Sequence, residues 1–217
     1  MKQEVLTVTQ KKAIAFVAKE VKLSRFYLTG GTALSAYYLR HRISEDLDFF
    51  VFKEPDKLFL HAFADQLKNA LKASAFRFER LYDRNQFFFQ LGDGELKIEF
   101  TKYPFRQLEQ PIMHNGIRVD SLRDISANKM MAMLDRFDPK DFVDLYFLLR
   151  KFQLKDIRKD VEKKFEMGTD NIFLGGELMK ARRIEALPKM LKPLILKDLK
   201  TFFAEQAKQL GPQIFKD

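Results

Sequence analysis

The feature that most constrains the fold is a glycine pair set between two short apolar runs. The first run, residues 26–28, leads into Gly30 and Gly31, and the second begins as Asp46-Leu47-Asp48. This order predicts a strand, a glycine turn, a helix and a second, buried strand. Because alternate residues of a strand face the same side, Asp46 and Asp48 are expected to project together beside the turn.

Two carboxylates placed in this way are suited to Mg²⁺, which combines a few carboxylate oxygens with water and phosphate oxygens. The glycine turn lets the backbone approach a ligand closely, and the helix that follows offers N–H groups to a phosphate. The alternative is that Asp46 ends a turn and Asp48 faces solvent. Leu47 and Phe49 argue against it, because they indicate an interior strand, where an unpaired carboxylate is costly. Glu99 is a possible third carboxylate, or an exposed strand glutamate.

The N-terminal part of the chain has a mixed pattern of helices and strands. Helical spacing predicts helices near residues 9–23, 33–39 and 55–73. Short aromatic or alternating runs predict strands near residues 76–79, 86–91 and 96–100. Gly92-Asp93-Gly94 predicts a hairpin between the last two of these strands. Antiparallel strands are therefore added to the sheet begun by the two apolar runs.

Beyond Asp120 the strand signals nearly vanish. Helices are predicted near residues 122–134, 139–152, 154–165 and 188–210. We therefore expect an α+β lobe at residues 1–120 and a helical lobe at residues 121–217.

Composition narrows the function classes. The 217 residues carry a formal net charge of +9 and no cysteine, so disulfide scaffolds, thiolate zinc sites and cysteine nucleophiles are excluded. The three histidines are scattered. No signal peptide or membrane-spanning run is evident, and we expect a cytoplasmic protein. The positive charge favours polyanionic partners such as RNA or nucleotides.

Several blocks occur in the order typical of one enzyme family. Residues 30–34 read Gly-Gly-Thr-Ala-Leu, and residues 41–50 run from His-Arg to Asp-Leu-Asp-Phe-Phe. Residues 124–130, Arg136 and residues 140–145 follow further along the chain. Together these blocks resemble the nucleotidyl transferase AbiEii/AbiGii toxin family, a branch of the polymerase-β-like nucleotidyltransferase superfamily. The resemblance implies a mixed sheet with flanking helices, followed by a helical C-terminal lobe.

The resemblance also implies a role for each matching residue. It implies that Asp46, Asp48 and Glu99 are metal ligands, with two Mg²⁺ ions expected. Nucleotide binding falls to Gly30, Gly31, Thr32, Arg42, Ser44 and Lys129, the last on the phosphates. Asp141 and Asp144 match the closing acidic motif, and with Lys129 they join the three acids as candidate catalytic residues. The implied reaction transfers NMP from an NTP to a hydroxyl such as an RNA or tRNA 3′ end. The implied setting is a toxin–antitoxin or phage-defence system, with a cognate antitoxin as a partner.

Structural alternatives compete with these roles. Asp141 could serve only as the N3 acid of a helix that Asp138 caps and Pro139 begins. Lys129 borders an apolar stripe and could be a surface lysine whose stem packs on it. Arg42 could pair with Asp46 or Asp48, or bind phosphate.

Functional alternatives also compete. A catalytically silent nucleotide- or RNA-binding module could keep the same fold. The acceptor could also be a small-molecule or protein hydroxyl. The paired aspartates favour the enzyme, because a silent relative is expected to lose one of them.

Overall fold

A computed structural model describes residues 4–211 and shows a mixed α+β fold. The helices are α1 Val8–Lys19, α2 Gly30–Ala33, α3 Lys57–Leu71, α4 Leu122–Asp135, α5 Pro139–Leu148, α6 Leu154–Phe165, α7 Asn171–Met179 and α8 Leu196–Leu210. The strands are β1 Tyr27–Thr29, β2 Leu47–Val51, β3 Ala75–Leu81, β4 Arg84–Leu91, β5 Gly94–Lys102, β6 Ile112–His114 and β7 Ile117–Val119. A π-helical segment, Leu34–Leu39, continues α2, and 3₁₀ turns lie at Val21–Leu23 and Lys180–Arg183. No helix among residues 4–211 is long and apolar enough to cross a membrane.

The seven strands form one sheet in the order β3-β4-β5-β2-β1-β7-β6. β1 pairs antiparallel with β2 and parallel with β7, while β2 pairs parallel with β5. The outer pairs β3–β4, β4–β5 and β6–β7 are antiparallel. The sheet is therefore mixed, with the strand that carries the paired aspartates between β1 and β5.

The chain divides into two compact units. The first contains residues 4–38, Ser44–Phe105 and Gln110–Ser121, and so holds the whole sheet with α1 to α3. The second contains Leu39–Ile43, Arg106–Glu109 and residues 122–211. Two short segments that precede Asp120 in the chain therefore belong to the helical unit.

Phenylalanine rings form the core of the first unit. Phe100 on β5 stacks on Phe49 of β2 with ring centroids 5.4 Å apart, and it meets Phe26 edge-on at the same distance. Phe63 of α3 and Phe87 of β4 pack edge-on against the same ring. Edge-to-face contacts of this kind add to the free energy gained by burying the rings. One face of β2, β4 and β5 is thereby packed mainly with apolar side chains, and Glu99 projects from the opposite face.

The helical unit buries one ion pair completely. The side chains of Asp124 on α4 and Lys164 on α6 both have 0% exposure, and Lys164 Nζ lies 2.5 Å from Asp124 Oδ1. The Asp124 carboxylate also accepts the backbone N–H groups of Leu108 and Glu109. A buried charge is tolerated only when it is paired and hydrogen-bonded, as both are here. The pair therefore fixes α4, α6 and residues 106–109 against one another.

The sequence predicted most of these elements. The α+β class, the hairpin at Gly92–Gly94 and the helix over residues 154–165 are confirmed. The predicted helix over residues 188–210 is wrong in its first part, because α8 begins only at Leu196. Pro193 lacks the N–H that a helix interior needs and disfavours helical geometry in the residue before it.

One helix and one hairpin were missed. α7 contains Gly175 and Gly176, whose low helix propensity hides it, although its N-cap Asp170 accepts the N–H of Phe173. The β6–β7 hairpin turns through Asn115 and Gly116, both at positive φ. An Asn-Gly pair between apolar residues is a strong hairpin signal and would have predicted this turn.

Replacing the buried lysine tests its structural role. Lys164→Met removes the ammonium that neutralises the buried carboxylate of Asp124, so we expect a loss of about 3 kcal/mol or more in the free energy of unfolding. Chemical denaturation of the purified variant measures the change. Lys163→Met is the matched control, since Lys163 is exposed on the same helix. Equal stability of the two variants would contradict this role.

Candidate active site

The three acids of the sheet lie on one face. Leu47 and Phe49 are fully buried, whereas Asp46 and Asp48, which alternate with them, are only partly buried. Asp48 on β2 is the register partner of Glu99 on β5, so these two side chains project from the same side of neighbouring strands. Strand alternation and the β2–β5 register thus place Asp46, Asp48 and Glu99 on the same face of the sheet.

Gly30 is required by the position of Asp48. It has φ +71°, in the left-handed region, and a Cβ built there would lie 2.5 Å from Asp48 Oδ2. The β1–β2 register, with Thr29 opposite Asp48, sets this close approach. The Thr32 hydroxyl donates to the backbone carbonyl of Asp46, which ties the helix start to the strand carrying the acids. The glycine turn and the aspartate pair therefore form one rigid piece of structure.

Glu99 differs from the two aspartates in its surroundings. Its side chain is 2% exposed and it is the acceptor for donors on β4 and β5. Its Oε1 accepts from Arg84 Nε at 2.6 Å and from Thr101 Oγ1 at 2.6 Å. Its Oε2 accepts from Arg84 Nη2 at 2.7 Å and Gln86 Nε2 at 2.8 Å, and Lys97 Nζ lies 3.2 Å away. Arg84 thus holds this carboxylate in place with two hydrogen bonds, one to each oxygen.

The electrostatics follow from these contacts. Burial alone would raise the pKa of Glu99, but the hydrogen bonds and charge of Arg84, with Thr101 and Gln86, lower it to about 2. Lys97 Nζ also lies 3.6 Å from Asp46 Oδ2. Two cations, Arg84 and Lys97, therefore stand among the three acids.

The aspartate pair fits a divalent cation better than the full triad does. Among residues 4–211 no group of three or more His, Asp or Glu side chains is placed to hold a metal ion. Mg²⁺ commonly binds through one or two carboxylates and completes its sphere with water and substrate phosphate. Asp46 and Asp48 supply such a pair on one strand face.

In the helical unit, Asp144 of α5 is the centre of a buried ionic cluster. Its Oδ1 accepts from His41 Nε2 at 2.6 Å and from Arg42 Nε at 2.7 Å. Its Oδ2 accepts from Arg42 Nη2 at 2.8 Å and lies 2.6 Å from Lys129 Nζ. Burial alone would raise the pKa of Asp144, but the charges of Lys129 and Arg42 hold it well below its ordinary value. Asp144 is therefore ionised across the physiological pH range.

Lys129 of α4 bridges both acids of α5. Its Nζ donates to Asp141 Oδ1 at 2.8 Å as well as contacting Asp144. Arg136 binds the other oxygen of Asp141, with Nη2 at 3.0 Å. Burial would lower the pKa of Lys129, but the two carboxylates raise it, so the ammonium keeps its charge. Lys129, Asp141 and Asp144, which the sequence grouped, are in contact within one unit.

His41 is neutral in this cluster. Burial is the main cause that lowers its pKa, although Asp144 acts in the opposite direction. An ionised carboxylate can only accept, so Nε2 carries the ring hydrogen and Nδ1 carries the lone pair. That Nδ1 is buried and has no hydrogen-bond partner within residues 4–211.

Three structural alternatives can now be decided. Arg42 pairs with Asp144, a partner that the sequence did not indicate. Lys129 is buried, so its reading as a surface lysine is wrong. The predicted cap of α5 is confirmed, since Asp138 accepts the N–H of Lys140 and Pro139 begins the helix. Asp141 combines its place in the first turn with the ion pairs described above.

Sequence reasoning missed the residues around Glu99. Arg84, Gln86 and Thr101 were not singled out, although a signal for one of them was present. With the hairpin turn at Gly92–Gly94, simple counting back along β4 places Gln86 opposite Glu99. The remaining assigned residues, Gly31 and Ser44, lie in the helix start and just before β2. The Ser44 carbonyl accepts from Gln10 of α1 at 2.9 Å.

Comparison with known sequences decides the family. Residues 15–215 match the family described as nucleotidyl transferase AbiEii toxin, Type IV TA system. The chain belongs to this family. An uncharacterized protein of Aquifex aeolicus (strain VF5) is 36% identical over 162 residues, which is 72% of this chain and 74% of that protein. The chain is accordingly a nucleotidyltransferase of the AbiEii family.

Three solved structures share the fold at low sequence identity. A protein from H. pylori assigned as a nucleotidyltransferase superposes with a TM-score of 0.63 at 18% identity, over 96% of this chain and 94% of that chain. JHP933 from Helicobacter pylori gives a TM-score of 0.59 at 18% identity, covering 96% of this chain and 91% of that one. The nucleotidyltransferase toxin MenT4 from Mycobacterium tuberculosis H37Rv gives 0.58 at 16% identity, covering 94% and 82%.

Adding a methyl group at the glycine turn tests its fit to Asp48. Gly30→Ala brings a side chain against the Asp48 carboxylate and forces a left-handed φ on a non-glycine residue. The backbone strain alone costs about 1–2 kcal/mol, so the melting temperature of the variant should be lower than that of the wild type. Gly92→Ala is the control, because its Cβ would meet nothing within 4 Å. Equal melting temperatures for the two variants would contradict the assigned contact.

Removing the central charge of the helical cluster tests its electrostatics. Asp144→Asn leaves Arg42 and Lys129 buried without their shared anion, so we expect a loss of about 3 kcal/mol or more in unfolding free energy at neutral pH. Because the folded pKa of Asp144 is lowered, its contribution is complete above the unfolded value of about 3.9 and is lost as pH falls toward the folded one.

Denaturation of the wild type and Asp144→Asn from pH 7 downward measures this dependence. The stability gap should stay constant to about pH 4 and narrow below it. Asp156→Asn, at an exposed position of α6, is the control. A gap that widens on acidification would refute the assignment.

Proposed function

We propose that this AbiEii-family chain is a Mg²⁺-dependent enzyme that transfers NMP from an NTP to an RNA 3′ hydroxyl, such as that of tRNA. The observation that carries the proposal is Asp48 of β2 packed against the backbone of Gly30, with Asp46 just before the same strand. A carboxylate pair locked beside a glycine turn places a divalent cation and a phosphate next to each other.

The residues of the sheet contribute position and charge. A bound divalent cation would neutralise phosphate charge and activate the attacking hydroxyl. Asp46 and Asp48 would hold that cation, while Gly30, Gly31 and Thr32 present backbone close to the triphosphate. Because phosphoryl-type transfer needs little covalent participation from the protein, fixed geometry and electrostatics supply most of the rate. The contact between Gly30 and Asp48 provides such fixed geometry.

Lys129 is proposed as a nucleotide-phosphate ligand. An ammonium has three N–H donors, and Lys129 contacts two carboxylates, Asp141 and Asp144. One donor is thus left for a phosphate. Asp141 and Asp144 would hold the ammonium charged and oriented, and Arg42 would act through Asp144 rather than by touching the nucleotide.

An RNA acceptor is supported by charge. The chain has a formal net charge of +9, and the helical unit exposes Arg182 and Arg183 in the turn Lys180–Arg183. The guanidinium of Arg183 lies 4.8 Å from the centre of the Phe137 ring. Arginine and aromatic side chains placed in this way also stack on nucleic-acid bases. The family description as part of a Type IV toxin–antitoxin system supports toxicity and a cognate antitoxin as the biological setting.

Neutralising either aspartate should strongly slow NMP transfer. Asp46→Asn or Asp48→Asn should lower the rate of NMP incorporation from labelled NTP into total RNA by about a hundredfold, because one charge-stabilising group is removed. Omitting Mg²⁺ should have the same effect. Glu95→Gln, an exposed acid on β5, is the control and should retain full activity. Full activity of Asp48→Asn would exclude the proposed cation site.

RNA binding should depend steeply on salt. Each lysine or arginine that contacts a phosphate releases counterions, giving a log–log slope of about −0.7 per contact on single strands. Filter binding at several salt concentrations measures the slope, and replacing Arg182 and Arg183 with Gln should make it shallower. Salt-insensitive binding, or none at low salt, would instead favour a small-molecule or protein hydroxyl as acceptor.

A further inference from the structure

Glu99 has no free position for a metal ion. A carboxylate offers about four lone-pair positions. Arg84 Nε and Thr101 Oγ1 occupy Oε1, while Arg84 Nη2 and Gln86 Nε2 occupy Oε2, all within 2.8 Å. Lys97 Nζ adds a fifth contact at 3.2 Å. A cation could reach this carboxylate only by displacing one of these donors.

Arg84 is held rigidly but remains accessible. Its side chain is 37% exposed, although its partner Glu99 is 2% exposed. Only Nε and Nη2 of the guanidinium are used by Glu99, which leaves further N–H groups on the same planar fork. Lys97 is similar, with a side chain 20% exposed and an ammonium between Glu99 and Asp46.

We propose that Arg84 and Lys97, anchored by the buried Glu99 beside Asp46 and Asp48, bind a phosphate group of the substrate, with Glu99 as a positioning residue rather than a metal ligand. This inference rests on the proposed nucleotidyl transfer. The phosphate belongs either to the NTP or to the backbone of the acceptor strand. Both sources present the same chemistry to the guanidinium and ammonium.

Charge balance supports this assignment. Asp46, Asp48 and Glu99 carry three negative charges, and Arg84 and Lys97 carry two positive ones. The sheet face that carries these three acids, the acid face, therefore lacks the strong excess of negative charge that would hold two divalent cations. A planar guanidinium suits paired phosphate oxygens, and a preordered one loses little side-chain entropy on binding. The arginine and lysine thus supply charge that a second metal ion would otherwise provide.

Ligand binding tests the role of the two cations. Arg84→Gln and Lys97→Gln should each weaken binding of an NTP with Ca²⁺, or of a single-stranded RNA oligonucleotide, by about tenfold, as expected for one lost charge-assisted hydrogen bond. Arg84→Lys should restore part of the affinity. Arg80→Gln is the matched control, since Arg80 lies on the opposite face of the same sheet and pairs with Glu54.

The two ligands identify the phosphate. Weaker NTP binding with normal RNA binding supports a nucleotide phosphate, and the reverse supports the acceptor backbone. If both ligands bind Arg84→Gln and Lys97→Gln as they bind Arg80→Gln, the proposal is overturned. If the wild type transfers NMP in that case, the proposed function still stands. A wild type that binds neither ligand overturns both.

Metal binding tests the role of Glu99 without any turnover. Mn²⁺ titration, followed by calorimetry or electron paramagnetic resonance, should show one site in the wild type, retained in Glu99→Gln and lost in Asp48→Asn. Arg84→Gln should bind Mn²⁺ as well as or better than the wild type, because Glu99 is then released. A Glu99→Gln variant that loses Mn²⁺ as completely as Asp48→Asn, or a wild type with two sites, would make Glu99 a metal ligand.

Discussion

The close approach of Gly30 to Asp48 is the constraint on which the acid face depends. It arises from the antiparallel β1–β2 register, which sets Thr29 opposite Asp48 and leaves no room for a side chain at the next residue. The Phe49 and Phe100 stack fixes the other side of the same strands. Because the aspartates alternate with those core residues, a shift of register would carry them into the core. The same strand register is thus required both to pack the apolar face and to orient the acids.

A second constraint, in the helical unit, is the buried carboxylate of Asp144. It accepts from two elements that are far apart in sequence, residues 41–42 and α4. Such a buried anion is stable only because every neighbour donates to it, and the removal of any donor exposes the full cost of desolvation. The cluster therefore specifies where the segment Leu39–Ile43 must lie. It selects this one arrangement more than it adds to the net free energy of folding.

The sequence was informative where local chemistry and pattern coincide, and less so where partners are distant. Asp46 and Asp48 could be placed on one face from strand alternation alone, and Asp138 and Pro139 predicted the start of α5. The pairing of Arg42 with Asp144 could not be predicted, since nothing local distinguishes one acid from another as its partner. The extended segment before α8 could not be predicted for the same reason. Its carbonyls and N–H groups pair with residues 41–43, as in the bond from Ile43 N to Lys189 O, and this partner is invisible to helical periodicity.

Carboxylates that look alike in sequence are given different chemistry by the cations around them. Glu99, Asp141 and Asp144 are buried, and each accepts from arginine or lysine side chains. Asp46 and Asp48 stay partly exposed on the face beside the glycine turn. The first group fixes Arg84, Lys129 and Arg42 in position, and the second offers oxygens to a cation. Since preorganised charge stabilises a transition state without reorganisation at the moment of reaction, acids that merely hold cations still contribute to rate. In the proposed mechanism the motif acids therefore divide into two that bind the cation and three that orient positively charged side chains.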